Sequence, residues 1–240
     1  MSTTAQAFLR DQAGEPAVSG DQITDRISKE SLSQQAYSAI RSSLMRSRLR
    51  PGQRLVARQL AADLGISVTP VRESLLRLVS EHALSIDDRG TIVVPTLDLN
   101  RCIEVRDLRI LAEGEGAARA AKIVSDDDID RLAAVHARYC DAEKSKDFAR
   151  ALAENENFHF ELCRLARSPV LFRIVENLWM QFGPVLSHLY ESGAGPFHGE
   201  THRHLMVIDG LRERSAEATR RAIGEDILIG GRAIVDKLQA

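Results

Sequence analysis

From Ser33 onward apolar residues return every three or four positions, and the run Ala36, Tyr37, Ile40, Leu44 and Leu49 stops at Pro51-Gly52. That period predicts a helix with one inward face, ended by its Pro-Gly signal. The stretch LAADLGISVTPVRESLLRL, Leu60 to Leu78, then reads as two short helices meeting at Gly65, which supplies a left-handed turn. Leu60, Ala61 and Leu64 form the apolar side of the first. Ser67 or Thr69 caps the second, behind which Val71, Leu75, Leu76 and Leu78 are spaced to pack inward. Thr69, Arg72 and Glu73 remain on the leading turn, as in a helix-turn-helix that enters a DNA groove. Two short β-type runs, LSID and TIVVP, flank the polar turn DRG and complete a winged helix.

Beyond Thr96 the pattern becomes uniformly helical. Helices are expected at about Asn100 to Ile123, Asp126 to Lys144, Asp147 to Ala166, Pro169 to Tyr190, Pro196 to Arg212 and Ser215 to Leu238. Ser125 followed by three aspartates is a strong helix start, because carboxylates there complement the free amides and the dipole. The fold class expected is mainly α: an N-terminal winged helix-turn-helix with a small β wing, then an all-α antiparallel bundle. Residues 1–30, rich in Ser, Thr, Gln, Gly and Asp, read as a mobile tail, 31–96 as the winged helix and 97–240 as the bundle.

A net charge of −2 conceals a division. Between Ser31 and Thr96 nine arginines face five acids, a surplus of four, so the rest of the chain carries −6. A basic unit joined to an acidic one suits a nucleic-acid module attached to a domain that avoids phosphate. Cys102, Cys140 and Cys163 lack CxxC spacing and read as reduced core thiols. No stretch approaches the roughly 20 apolar residues of a membrane span, and the N-terminus lacks signal-peptide order, so a cytoplasmic protein is expected.

Inside the helical half, several polar residues sit on apolar faces. His159 lines up with Leu162, Cys163 and Ala166, and Asn155 lies one turn before it. His204 shares a face with Val207, Ile208 and Leu211, and Asp226 falls beside Ala222, Ile223 and Gly230. Buried polar groups need partners, and one another would serve. Arg109 also lies on an inward face, with Cys102, Val105, Ala112 and Gly116. Two readings stand for it: an i,i+4 ion pair with Glu113, or a fork that grips a carboxylate or phosphate of a ligand. His202 is an alternate donor near the same helix start, though its offset from His204 by two residues turns it to another face, and His136, His188 and His198 read as surface or core histidines.

RLVARQLAADLGISVTPVRESLLRL, preceded by RLRPG and followed by the DRG turn, resembles the winged helix of the GntR family of bacterial transcription regulators. The helical half, with RILAE and NENFH, resembles the FCD effector domain of that family's fatty-acid-regulator branch. The resemblance implies DNA contacts from Arg58, Ser67, Thr69 and Arg72, with Arg89 and Gly90 at a wing tip near the minor groove. Arginine suits guanine O6 and N7, and hydroxyls with free helix-start amides suit phosphate. Val68 stands where the family usually carries arginine, so a base contact is either missing or replaced by apolar contact with a thymine methyl. The resemblance also implies a divalent metal, Zn²⁺, Ni²⁺, Mn²⁺ or Fe²⁺, held at Asn155, His159, His204 and Asp226. Asn155 and Asp226 depart from the family's Asp and His at those two places; Asp226 restores the charge lost at Asn155.

These features together imply a ligand-responsive regulator, a repressor, acting as a homodimer on a palindromic double-stranded DNA operator and sensing a small organic or sugar acid. A hinge is expected near Pro95 to Asn100. Two other readings remain at this stage: a metal-dependent enzyme on the bundle, and a metal-free regulator sensing an acyl ligand. GEGAAR at 114 to 119 lies within a helix and lacks a dinucleotide fingerprint, and no nucleophile-base pair is evident, so an enzyme is not expected.

Overall fold

A computed structural model of the chain describes residues 31–190 and 202–239, with the side chains of 187–190 left out. The expected tail, His198 and the side chain of His188 therefore lie outside the described residues. The first helix, α1 (Leu32–Met45), buries Ala36, Tyr37, Ile40 and Leu44, as its period requires. It ends four residues before the expected Leu49, where Ser47 takes a left-handed conformation. Helices α2 (Ala57–Leu64) and α3 (Val68–Ser80) meet at Gly65, whose φ of 66° lets the Ile66 amide bond back to the Ala61 carbonyl. Ser67 occupies the N-cap position of α3 without a side-chain capping bond.

Val71, Leu75 and Leu78 are buried as expected, but Leu76 is 56% exposed. Leu75 already fills the inward position, and its neighbour lies about 100° further round the helix. Leu76 instead borders a surface groove with Leu55, Gly90 and Ile92. The wing pairs β1 (Ser85–Ile86) with β2 (Ile92–Val93) in antiparallel register, Ile86 opposite Ile92. Gln53 to Leu55 adds backbone bonds to Ile92 and Val94 on the other side of β2. At the wing turn Asp87 accepts the amides of Arg89 and Thr91, and Gly90 takes φ 74°.

The bundle contains α4 (Leu99–Ile123), α5 (Asp126–Lys144), α6 (Phe148–Leu165) and α7 (Pro169–Phe182). A 3₁₀ stretch (Gly183–Tyr190) follows, and α8 (Arg203–Arg212), α9 (Ala216–Gly230) and α10 (Arg232–Gln239) close it. Two expected helices are thus broken, one at Gly183 and one at Gly231. The start of the expected helix at Pro196 lies outside the described residues. Ser125 and Asp128 form the capping box that the sequence signals at α5. Helix α4 is central, packing on α9, α6 and α7. A core of Ala117, Ala121, Leu132, Phe158, Leu162, Ile208 and Ile223 joins five helices. A second core runs from Tyr37, Leu44 and Leu75 of the winged helix into Trp179, Phe182 and Leu186 of the bundle. All three cysteines are free thiols, with Cys140 the least buried. Among the described residues no helix is long and apolar enough to cross a membrane.

Candidate functional site

The polar face of the helix-turn-helix is open. Arg58 in the first turn of α2, Ser67 and Thr69 at the start of α3, and Arg72 one turn on are all exposed, as are Arg89 and Gly90 at the wing tip. Val68 is half buried against the core. The first amides of α3 lack intrahelical acceptors, so this end of the helix presents hydrogen-bond donors and positive charge together.

The second constellation lies inside the bundle. His159 on α6 is 2% exposed and bridges two carboxylates. Its Nδ1 donates to Glu113 Oε2 of α4 at 2.6 Å, and its Nε2 lies 3.1 Å from Asp226 Oδ2 of α9. Glu113 in turn accepts from Arg109 Nε at 2.7 Å and from the Trp179 indole at 3.1 Å. The Arg109 guanidinium stacks over the Trp179 ring, 4.0 Å from its centroid. The i,i+4 ion pair of Arg109 and Glu113 is therefore formed, and both side chains are buried. Burial would push Glu113 up, but Arg109 and His159 outweigh it and bring its carboxyl down to about 2. Burial would push His159 down, but Glu113 and Asp226 outweigh it and raise its pKa.

His204 on α8 completes the group, with Nε2 3.8 Å from Asp226 Oδ2. It is fully buried and stacks on Phe158, and burial holds its pKa well below the ordinary value. Neither ring nitrogen of His204, nor Asp226 Oδ1, has a hydrogen-bond partner among the described residues. Buried polar atoms are seldom left so. The ligand atoms of His159, His204 and Asp226 all lie within 4.8 Å of one another. Two imidazoles and a carboxylate fit a divalent transition metal, and a carboxylate on His159 Nδ1 is the usual way a metal-binding ring is aimed. Asn155 is half buried and lines a small cavity of about 30 Å³ with Arg109, His159, Phe182 and Asp226. The structure thus brings Arg109, Asn155, His159 and Asp226 to one cavity, with His204 behind them.

Three neighbours stand closer to the site than the sequence shows. Glu113, seen only as a partner of Arg109, also orients His159. His202 does not turn away: it is the N-cap of α8, outside the helical register, and its ring centroid is 4.1 Å from that of His204. His136 of α5 is 5.4 Å from both rings. Its position on the buried face of α5 with Leu132, Val135 and Tyr139 was the available signal.

Residues 32–94 match the family described as bacterial regulatory proteins, gntR family, and residues 104–228 match the FCD domain. The HTH-type transcriptional regulator McbR of Escherichia coli K12 is 28% identical over 203 residues, 84% of this chain and 92% of that one. The solved structure of E. coli McbR/YncC superposes with a TM-score of 0.81 over 88% of this chain and all of that one. The Nta operon transcriptional regulator of Aminobacter aminovorans is 28% identical over 54% of this chain and 61% of that one. A putative GntR regulator from Rhodococcus sp. RHA1, 20% identical with a TM-score of 0.69 over 85% of this chain and 97% of that one, shares the fold. With its winged helix and its helical domain each matched, the chain belongs to the bacterial GntR family with an FCD domain, and it is a transcription regulator rather than an enzyme.

Proposed function

We propose that the chain is a repressor of the family's fatty-acid-regulator branch, which binds a palindromic operator as a homodimer and releases it when a small organic or sugar acid enters the bundle. Residues 31–96 would read DNA, and 97–240 would sense the ligand and dimerise, with the hinge at about Pro95 to Asn100. Arg58 and Arg72 would contact base edges, Ser67 and Thr69 the phosphates, Val68 a thymine methyl, and Arg89 with Gly90 the minor groove. The setting is the cytoplasm, where the operator is.

The observation that carries the sensing half is the pair of orphaned buried groups, His204 and Asp226 Oδ1. His159, His204 and Asp226, with the Asn155 carbonyl beside them, would hold one divalent ion: Zn²⁺, Ni²⁺, Mn²⁺ or Fe²⁺. A bound ion supplies positive charge that anchors a carboxylate. Arg109 faces the same cavity and adds a second charge, while Glu113 fixes its direction. A cavity of about 30 Å³ has room for an ion and its water, and it would have to widen to admit an acid. Leu111 of α4 and Val170 of α7, 70% and 73% exposed, are large apolar side chains that a second copy would cover.

Elemental analysis of untagged protein, followed by operator binding of the metal-loaded form against a panel of small carboxylates, tests this reading. We expect bound metal and at least a tenfold loss of operator affinity with one of the acids. Protein that neither retains metal nor binds it on titration, or operator affinity unchanged across the panel, would overturn the metal-carboxylate reading.

A further inference from the structure

His136, His202 and His204 come together from two helices, α5 and the start of α8, and offer three imidazole nitrogens within 4.8 Å of one another. Their exposures are 7%, 5% and 0%. Tetrahedral coordination with metal-nitrogen bonds of about 2.0–2.1 Å needs the nitrogens roughly 3.3 Å apart, within reach of small side-chain rotations. The surroundings are aromatic: Phe158 stacks on His204 at 3.6 Å, and the Tyr139 ring lies 4.8 Å from that of His202. A buried core histidine is ordinarily hydrogen-bonded, yet both nitrogens of His204 lack a partner among the described residues. Asp226, whose Oδ2 is 3.8 Å from His204 Nε2, supplies the nearby negative charge that a divalent ion requires.

We propose that His136, His202 and His204 form a second metal-binding set, an all-imidazole site for Ni²⁺ or Zn²⁺. It is distinct from the set of His159, His204 and Asp226 and meets it at His204. The inference rests on the reading of the bundle as a metal-dependent sensor and adds where a nitrogen-preferring ion sits. His202 Nδ1 now accepts the His204 amide at 3.1 Å, and metal uptake exchanges this capping bond for a coordinate bond. A neutral imidazole has one lone pair, so the two sets compete for His204. Loading of the imidazole set leaves His159, Asp226 and the Arg109 cavity open to a ligand.

Ligand type separates the two sets. Imidazoles favour Ni²⁺ and Zn²⁺, whereas a carboxylate-bearing set also accepts Mn²⁺. Untagged full-length protein, freed of metal with a chelator, is titrated with Ni²⁺ and separately with Mn²⁺ by calorimetry. His136→Asn and His202→Asn should each weaken Ni²⁺ binding at least tenfold and change Mn²⁺ binding less than threefold. His202→Asn keeps a capping oxygen at the start of α8, which guards against simple unfolding. His159→Asn should do the reverse. Nickel-edge X-ray absorption on the loaded wild type, which needs no variant, should show three imidazoles. Ni²⁺ affinity unmoved by His136→Asn and His202→Asn, or fewer than three imidazoles on the nickel, would overturn the proposal. Mn²⁺ binding unmoved by His159→Asn would instead strike the first set and leave this one standing.

Discussion

Glu113 shows how one carboxylate can govern a site it does not itself fill. It receives Arg109, His159 and Trp179 at once and is fully buried, so its charge is matched on several sides. Removing one member of a buried ion pair strands the other, at a cost of about 3–5 kcal/mol. Glu113→Ala should therefore lower the stability read from urea unfolding by about that much, and a double change of Arg109→Met with Glu113→Leu should cost less than either single change. Equal or larger loss in the double variant would contradict the ion-pair account. The sequence already contained the i,i+4 spacing of Arg109 and Glu113, and it placed Asn155, His159, His204 and Asp226 on inward faces. It did not disclose the contact between Glu113 and His159, because 46 residues separate them and only the packing of α4 on α6 joins them.

The helices themselves were legible, since burial repeats with their period, while their ends were less so. Lys146, Arg167 and Arg214 adopt left-handed conformations at turns where no glycine announces a stop. Exposed Lys146 follows α5 with φ 57°, and among the described residues it bonds only through its amide to the Glu143 carbonyl. A side chain costs about 1–2 kcal/mol in that region, partly offset by the greater unfolded-state freedom of glycine. Lys146→Gly should thus raise stability by about 0.5–1 kcal/mol, measured as a higher denaturation midpoint; a loss would contradict the reasoning. Gly183 is required for a different reason. A Cβ there would meet the Leu44 carbonyl oxygen at 2.5 Å and the Met45 Cα at 2.6 Å, both backbone atoms of α1. Ser47 also hydrogen-bonds the Gly183 carbonyl, and Arg46 pairs with Glu156 of α6 at 3.0 Å. Gly183→Ala should push α1 away from the bundle and destabilise the chain by about 2 kcal/mol or more, comparable to overpacking a core. An unchanged unfolding midpoint would show that this contact is not tight.

In the molecule taken whole, these contacts connect the winged helix to the helical domain that holds His159, His204 and Asp226. Glu156, the partner of Arg46 just past the end of α1, lies between Asn155 and His159 in α6, so a shift of α6 on ligand binding would reach α1 through an ion pair and a shared core. Such a shift can change DNA affinity only by as much as the ligand prefers one arrangement over the other. The two-part fold and its family were visible in the order of helices, wing and bundle. The shared core was not, because it needs Trp179 and Phe182 beside Tyr37 and Leu44, residues far apart in the chain. The proposed regulator reads a particular DNA sequence through the leading turn of α3. Selection of binding sites by the full chain from a pool of random duplexes, with sequencing of the bound fraction, tests that directly. An inverted repeat should be enriched, and Arg72→Ala should cost about 1–3 kcal/mol on that site while relaxing one position in each half. Failure to enrich any sequence, or an Arg72→Ala profile identical to that of the wild type, would contradict it.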